Sequence, residues 1–136
     1  MSAVPGQTDR RPRLLVVDDD AEIRQSIQML FASLDYDVTT AKDGKEALDL
    51  IARHHADVVL TDIFMQGSDG FDLISTLRKG HRQTIVAAMS GGHAGFNPLA
   101  FANKLGADLV ISKPFRNTQL VEAIDRLVRG FHRPAQ

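Results

Sequence analysis

The stretch LLVVDDDAE, residues 14–22, places four apolar residues directly before three consecutive aspartates. Short apolar runs rich in β-branched residues are typical of strands that are buried on both faces of a parallel sheet. Because a carboxylate is costly to bury without a partner, we expect the strand to end at Val17 and the acids to line either a solvated loop or a cation site. Asp20 is predicted to cap the helix that follows.

The alternation of apolar runs with helical segments continues along the chain. Four further runs predict strands, the first of them at an edge of the sheet: YDVTT (36–40), VVL (58–60), IVAAM (85–89) and LVI (109–111). Apolar residues at helical spacing follow each run, with N-caps predicted at Asp43, Asn97 and Asn117. Gly130 is predicted to end the last helix. The sequence therefore predicts an α/β protein of (βα)5 type, with a doubly wound, parallel five-stranded sheet.

Domain boundaries and cellular context are predicted from composition. Residues 1–12 are polar and are predicted to form a disordered lead-in, residues 13–130 one domain, and residues 131–136 a tail. The net charge of -1 disfavours a nucleic-acid surface, and the absence of cysteine excludes disulfides and thiolate metal sites. No apolar run approaches the ~20 residues that span a bilayer, and we expect no secretory signal. The expected location is cytoplasmic, without nucleic-acid or membrane partners.

The residues that follow the apolar runs are expected to meet in space, because ligands of open parallel sheets bind at the carboxyl ends of the strands. Asp18 and Asp19 follow the first strand, Asp62 the third, Ser90 the fourth and Lys113 the fifth. Neighbouring carboxylates repel one another and raise each other's pKa. A hard dication with oxygen ligands relieves that repulsion, so the pattern predicts a magnesium site at this edge.

Four motifs in order carry a family resemblance: VVDDD, VVLTDIFMQGSDG, MSGG and SKPF. From about Arg13 to Arg129 the chain resembles the receiver domain of two-component response regulators. The resemblance implies a flavodoxin-like fold with strand order 2-1-3-4-5. It also implies a signalling module that assists its own phosphorylation and dephosphorylation but turns over no external substrate. Since the sequence ends at Gln136, we expect a stand-alone receiver.

The resemblance assigns the acids to metal binding and to nucleophilic attack. Asp19 and Asp62 would bind Mg²⁺ directly, and Asp18 would do so through water. The backbone carbonyl of Phe64 would complete the protein's ligands. Asp62 would also attack the phosphoryl group carried on a partner's histidine, and an ionised carboxylate needs no general base for that attack.

The same resemblance places hydrogen-bonding groups around the phosphoryl oxygens. Lys113 would supply a fixed positive charge, Ser90 a hydroxyl donor and Gly91 a backbone amide. The Lys113–Pro114 peptide bond would be cis. Ser90, Val110 and Pro114 are the predicted residues of the switch that alters the output surface.

The implied partners are proteins on both sides of the signal. Upstream is a sensor histidine kinase or a histidine phosphotransfer protein. Downstream is a protein target that contacts the face formed by the fourth helix, the fifth strand and the fifth helix. A homodimer through the same face is compatible with the sequence.

One departure from the family pattern concerns the output switch. Val110 stands where the family often has an aromatic residue whose rotamer couples phosphorylation to output. A valine has no ring to move. We therefore expect output to depend on the loop after Ser90 and on the helix that begins near Asn97.

Further departures concern the segment after the nucleophile and the lifetime of the phosphoryl group. Gln66 replaces a usual proline and is expected to loosen the loop after Asp62. Phe64 and Gly92 stand at positions that help to govern hydrolysis in the family, and neither side chain can orient a water by hydrogen bonding. The sequence therefore predicts slow self-dephosphorylation.

Two alternatives remain open. A pseudo-receiver, which binds partners without phosphotransfer, is compatible with the departures at Val110 and Gln66. An aspartate-nucleophile phosphatase of the haloacid dehalogenase type requires D-x-D-x-[TV], but reading from Asp18 the last position is Glu22. A Mg²⁺-dependent phosphoryl adduct on Asp62 would distinguish the leading hypothesis from a pseudo-receiver.

Overall fold

The computed structural model describes residues 11–65, 68–91 and 97–131. Its strands are β1 (Arg13–Val17), β2 (Asp37–Ala41), β3 (Val58–Asp62), β4 (Phe64–Met65), β5 (Ser68–Asp69), β6 (Ile85–Ser90) and β7 (Leu109–Ser112). Its helices are α1 (Ala21–Ala32), α2 (Gly44–Arg53), α3 (Gly70–Gly80), α4 (Pro98–Leu105) and α5 (Asn117–Phe131). Strands and helices alternate as predicted, except that the sequence pattern did not predict β4 and β5.

The main sheet has the order β2-β1-β3-β6-β7 and is parallel throughout, whereas β4 pairs with β5 as an antiparallel hairpin. Since β6 and β7 are the fourth and fifth strands of this sheet, the predicted order is confirmed. The edge position of β2 is confirmed as well. The register pairs Asp62 with Met89 and Ser90 with Ser112. The residues at the carboxyl ends of the strands therefore lie along one edge of the sheet.

The side chains of alternate residues of β1 pack into two hydrophobic cores, one on each face of the sheet. Leu15 and Val17 belong to the core covered by α2, α3 and α4. Leu14 and Val16 belong to the core covered by α1 and α5. All four are at most 1% exposed, which accounts for the uninterrupted apolar run. Burial of an aliphatic side chain of this size contributes about 1.5–3 kcal/mol, so β1 is held firmly from both sides up to the point where the acids begin.

Three helices begin at the predicted capping residues. Asp20, Asp43 and Asn97 each accept a hydrogen bond from a backbone amide in the first turn of α1, α2 and α4, respectively. These contacts satisfy amide groups that the first turn of a helix leaves without an intrahelical partner. The start of α1, directly after the three acids, is therefore fixed by a local contact.

The bounds of α5 differ from the prediction. Asn117 is the first residue of the helix and not its cap, because the carbonyl of Arg116 already accepts the Leu120 amide at 3.1 Å. The helix continues one residue past the predicted stop at Gly130, to Phe131. A glycine ends a helix by taking the left-handed conformation, as Gly106 does after α4 with φ 111°.

Several predictions concern residues outside the described ranges. These residues are 1–10 of the lead-in, Gln66, Gly92 and the rest of the segment up to residue 96, and the tail after residue 131. The predicted domain boundaries remain predictions. Among the helices that the structure describes, none is both long and apolar enough to cross a membrane.

Candidate functional site

The acids that follow β1 and end β3 meet at one edge of the sheet. Asp18 and Asp62 are only 1% and 8% exposed, whereas Asp19 is exposed. Each of the three offers a carboxylate oxygen within 4.8 Å of those of the other two. The structure therefore brings together the three carboxylates that were predicted as metal ligands.

Asp18 is held through its backbone and its side chain. Its amide donates to the carbonyl of Ala41 at 3.1 Å, which extends the pairing of β1 with β2. Its Oδ1 accepts the Asp20 amide at 2.9 Å, and its backbone carbonyl accepts Nη1 of Arg24 at 2.7 Å. Arg24 was not predicted as a site residue, because this contact depends on how α1 leaves the sheet.

Asp62 is held by its immediate neighbours and by the start of α3. Its Oδ1 accepts the Ile63 amide at 3.0 Å, and its carbonyl accepts the Thr61 hydroxyl at 2.8 Å. A β-carbon on Gly70 would lie 2.5 Å from that same carbonyl, so the close approach of α3 requires glycine. Gly70 was not predicted as a site residue, although the turn signal Ser-Asp-Gly, whose glycine begins α3, could have identified it.

Lys113 reaches the acids from the end of β7. Its Nζ lies 3.5 Å from Oδ2 of Asp18 and 3.5 Å from Oδ1 of Asp62. Its amide donates to the Ser90 carbonyl at 2.9 Å, which extends the pairing of β6 with β7. The Lys113–Pro114 peptide bond is cis, as the resemblance implied. One ammonium group therefore contacts two buried carboxylates.

Burial is the main influence on the ionisation of these two acids. It raises the pKa of Asp18 above the ordinary 3.8, and the Asp20 amide and Lys113 offset only part of the rise. Burial likewise raises the pKa of Asp62, Lys113 lowers it in part, and the neighbouring Asp18 raises it further. The ionised forms are therefore costly at this site when no further cation is bound.

The donor set fits a hard dication. The candidate ligand atoms of Asp18, Asp19 and Asp62 are all oxygens, which are the ligands that Mg²⁺ prefers. With all three acids ionised, the charge of Lys113 leaves the cluster net negative. Phe64 lies just beyond Asp62 at the start of β4, and the role of its carbonyl as a ligand stays a prediction.

The predicted phosphoryl-binding and switch residues lie on β6 and β7 or next to them. Ser90 ends β6 and is 2% exposed, and Gly91 follows it at the surface. Val110 pairs with Ala88 of β6 and packs against the core on the α2, α3 and α4 side. Pro114 is exposed. Their roles in phosphoryl binding and in output stay predictions.

Three phenylalanines link the segment after the nucleophile to α4. The rings of Phe64 and Phe71 stand edge to face with centroids 6.0 Å apart, and those of Phe71 and Phe101 do so at 4.9 Å. Phe64 and Phe101 are 36% and 43% exposed. The contacts join β4, α3 and α4, so helical or strand periodicity could not predict them.

Comparison with known proteins points to one family. The family model of the response regulator receiver domain matches residues 14–125. The cell cycle response regulator CtrA of Brucella ovis is 32% identical over 117 residues, which are 86% of this chain and 50% of that protein. This chain therefore spans about half the length of the curated relatives it matches.

Solved structures agree with this match. The signal receiver domain of an HD domain-containing protein from Pseudomonas fluorescens Pf-5 is 27% identical, with a TM-score of 0.84 over 93% of each chain. The receiver domain of NtrX from Brucella abortus is 31% identical, with a TM-score of 0.79 over 85% of this chain and 98% of that one. The flavodoxin-like fold is thereby confirmed. Domains of this kind are modules of two-component signalling and not substrate-turnover enzymes. By its fold, its acidic site and these matches, the chain belongs to the response regulator receiver domain family.

Proposed function

We propose that this domain accepts a phosphoryl group on Asp62 from the phosphohistidine of a sensor histidine kinase or of a histidine phosphotransfer protein. The observation that carries the proposal is the position of Lys113, whose ammonium lies 3.5 Å from the carboxylates of Asp18 and Asp62. Buried acids with raised pKa values lower the stability of a fold at neutral pH. Such groups are concentrated at functional sites, so their presence favours a receiver that still carries out phosphotransfer over a pseudo-receiver.

The transfer requires placement and charge more than acid–base chemistry. A carboxylate oxygen of Asp62 attacks the phosphorus, and an O–P bond forms as the N–P bond of the phosphohistidine breaks. The electron pair of the N–P bond returns to the partner's imidazole. The ammonium of Lys113 favours the ionised form of Asp62 that this attack needs.

Three groups of this chain would contact the phosphoryl oxygens. Lys113 is already close to the Asp62 carboxylate, to which the phosphoryl group would be attached. The hydroxyl of Ser90 and the amide of Gly91 lie at the end of β6, the strand next to β3. Hydrogen bonds to charged oxygens are about twice as strong as neutral ones, so these donors would stabilise the transferred group.

We also propose that Asp18, Asp19 and Asp62, together with the carbonyl of Phe64, hold Mg²⁺. The closeness of the three carboxylates supports this assignment. When bound, Mg²⁺ supplies positive charge to the phosphoryl oxygens.

Output would proceed by protein contact in the cytoplasm, through the face formed by α4, β7 and α5. With Val110 at the aromatic position, output would depend on the segment after Ser90 and on the start of α4. A homodimer through this face is compatible with the proposal. Because Phe64 and Gly92 carry no hydrogen-bonding side chain, the phosphorylated domain would lose its phosphoryl group slowly, with a half-life much longer than seconds.

Intact mass after incubation with acetyl phosphate and Mg²⁺ tests the proposal. We expect one phosphoryl adduct that requires Mg²⁺ and is absent from Asp62→Asn. Beryllofluoride with Mg²⁺ should shift the amide resonances of Ser90 and Lys113 in wild type but not in Asp62→Asn. An adduct that persists in Asp62→Asn would refute the nucleophile. The absence of both adduct and shifts would identify a pseudo-receiver, and steady turnover of phosphate esters would identify a phosphatase.

A further inference from the structure

The side chain of Arg24 returns from α1 to the end of β1. Its Nη1 donates to the backbone carbonyl of Asp18 at 2.7 Å, and the contact is partly buried. The amide of Arg24 donates to the carbonyl of Asp20 at 3.1 Å, so the residue is anchored in the first hydrogen-bonded turn of α1. Arg24 therefore joins the helix to the short segment that carries the acids.

The bound carbonyl belongs to the peptide unit between Asp18 and Asp19. A peptide unit is planar, so fixing the direction of its carbonyl also restricts the position of the next α-carbon, which is that of Asp19. The Asp18 carboxylate has contacts of its own with the Asp20 amide and with Lys113. Asp19, whose α-carbon lies at the other end of this peptide unit, is exposed.

We propose that Arg24 is a positioning residue of the acidic site. By holding the Asp18 carbonyl, it orients the peptide unit between the first two acids and keeps the Asp19 carboxylate within reach of Asp18 and Asp62. The inference rests on the proposed binding of Mg²⁺ to these acids. It assigns Arg24 no contact with the phosphoryl group.

Charge and geometry predict opposite effects of removing Arg24. A nearby guanidinium repels a dication, so the loss of its charge alone would tighten Mg²⁺ binding. The loss of its contact with Asp18 would weaken Mg²⁺ binding, because groups that orient metal ligands typically contribute about 10–100-fold in affinity. The direction of the change therefore distinguishes a positioning role from a purely electrostatic one.

Calorimetric titration with Mg²⁺ of wild type and Arg24→Met measures this direction. We expect Arg24→Met to bind Mg²⁺ about tenfold more weakly. Arg53→Met is the matched control, because it removes an exposed arginine that lies on a different helix, α2. Among the contacts described, the Nε of Arg53 donates only to the Asp49 carbonyl of the same helix. The control is expected to bind like wild type. Unchanged or tighter binding in Arg24→Met would overturn the inference.

Hydrogen exchange of backbone amides without metal provides a second, independent measurement. The amide of Asp20 follows the peptide unit that Arg24 holds and donates to Oδ1 of Asp18 at 2.9 Å, so its exchange should become faster in Arg24→Met while that of Val16 stays unchanged. Equal acceleration at both amides would indicate only a loss of global stability and would contradict a positioning role. Arg24→Lys retains the charge and one donor group, and it should recover part of the protection.

Failure of the inference can be separated from failure of the proposed function. If wild type forms no Mg²⁺-dependent adduct with acetyl phosphate, the proposed function fails, whereas the metal-free exchange still tests the hold of Arg24 on the segment that carries the acids. If wild type forms the adduct, Arg24→Met should need more Mg²⁺ for the same rate and should approach the wild-type rate at saturating Mg²⁺. A rate that stays low at saturation would place Arg24 in the chemical step and refute a positioning role.

Discussion

Nζ of Lys113 lies 3.5 Å from Oδ1 of Asp62, although Asp62 ends β3, Lys113 follows β7, and β6 lies between these two strands in the sheet. The Lys113 side chain is 25% exposed, and its ammonium also lies 3.5 Å from Asp18. A partly buried cation attracts two buried acids more strongly than the partners of an exposed ion pair attract each other, since the surrounding dielectric is lower and there is less water to screen the charges. The ammonium is therefore central to the electrostatics of the site.

Replacement of Lys113 by methionine should destabilise the metal-free protein at neutral pH by about 1–3 kcal/mol, because two buried carboxylates lose their cationic partner. The loss should shrink in acid, where the carboxylates take up protons. Urea unfolding at neutral and at acidic pH measures the change in the free energy of unfolding. Lys104→Met serves as a control because Lys104 is exposed, and it should change stability by less than about 0.5 kcal/mol. Equal effects of the two substitutions would contradict a special role for Lys113.

Stability of the metal-free protein should rise as the pH falls from neutral into the mildly acidic range. Folding raises the pKa of Asp18 and Asp62 above 3.8. The stability linked to such a raised pKa is fully present below the unfolded value and is lost as the pH rises through the folded value. Asp62→Asn should therefore be more stable than wild type at neutral pH and should show a flatter pH profile. A less stable Asp62→Asn at neutral pH would show that the ionised carboxylate is not costly.

Mg²⁺ should stabilise the folded protein, because the folded state brings together three carboxylates that the unfolded chain separates. The gain should be about 2.7 kcal/mol at a free Mg²⁺ concentration a hundredfold above Kd. Thermal melts over a Mg²⁺ series measure it. Asp19→Asn should abolish most of the gain while changing the metal-free melting temperature little, since Asp19 is exposed. If Mg²⁺ raised the melting temperature of Asp19→Asn as much as that of wild type, Asp19 would not be a metal ligand.

Gly70→Ala should destabilise the fold by about 1–3 kcal/mol, because the added β-carbon would lie 2.5 Å from the Asp62 carbonyl oxygen and 2.9 Å from the α-carbon of Ile63. Backbone at this position must then shift, so phosphorylation of Asp62 should also slow. Gly80→Ala, at the other end of α3, is the matched control, because its β-carbon would meet nothing within 4 Å. It should be neutral or stabilising by up to about 1 kcal/mol. Similar losses in both variants would refute the close approach at Gly70.

Tyr36 should remain protonated in the folded protein well above pH 10. Its hydroxyl donates to Oδ1 of Asp125 at 2.6 Å. Burial, and to a lesser extent this hydrogen bond, raise the pKa of Tyr36 above its ordinary value of 10.0. The stability linked to this shift is present below pH 10 and is lost as the pH rises through the folded value. Tyr36 is the only tyrosine in the chain, so tyrosinate absorbance reports it alone. We expect the midpoint of the tyrosinate titration to fall towards 10 when the protein is unfolded in urea. Tyr36→Phe should remove the loss of stability that ionisation of Tyr36 causes at alkaline pH.

Local features were predictable because their causes are local. The caps at Asp20, Asp43 and Asn97 bind amides within the next turn of the same helix, so residue type and position predicted them, although the same signal at Asn117 placed the cap of α5 one residue too late. The strand positions followed from uninterrupted apolar runs, since both faces of each central strand are buried. The last helix continues one residue past Gly130, because a glycine permits a helix to end but does not require it.

The sequence by itself determined which residues stand at the carboxyl ends of the strands, and therefore which chemical groups the site contains. The tertiary structure alone decided how those groups are held. Arg24 on the Asp18 carbonyl, Gly70 against the Asp62 carbonyl and the Phe64–Phe71–Phe101 contacts each join separate elements. Such contacts depend on how helices pack on the sheet. Periodicity and capping reflect interactions over a few residues along the chain and do not depend on how elements pack. Only the folded structure therefore establishes these contacts between elements.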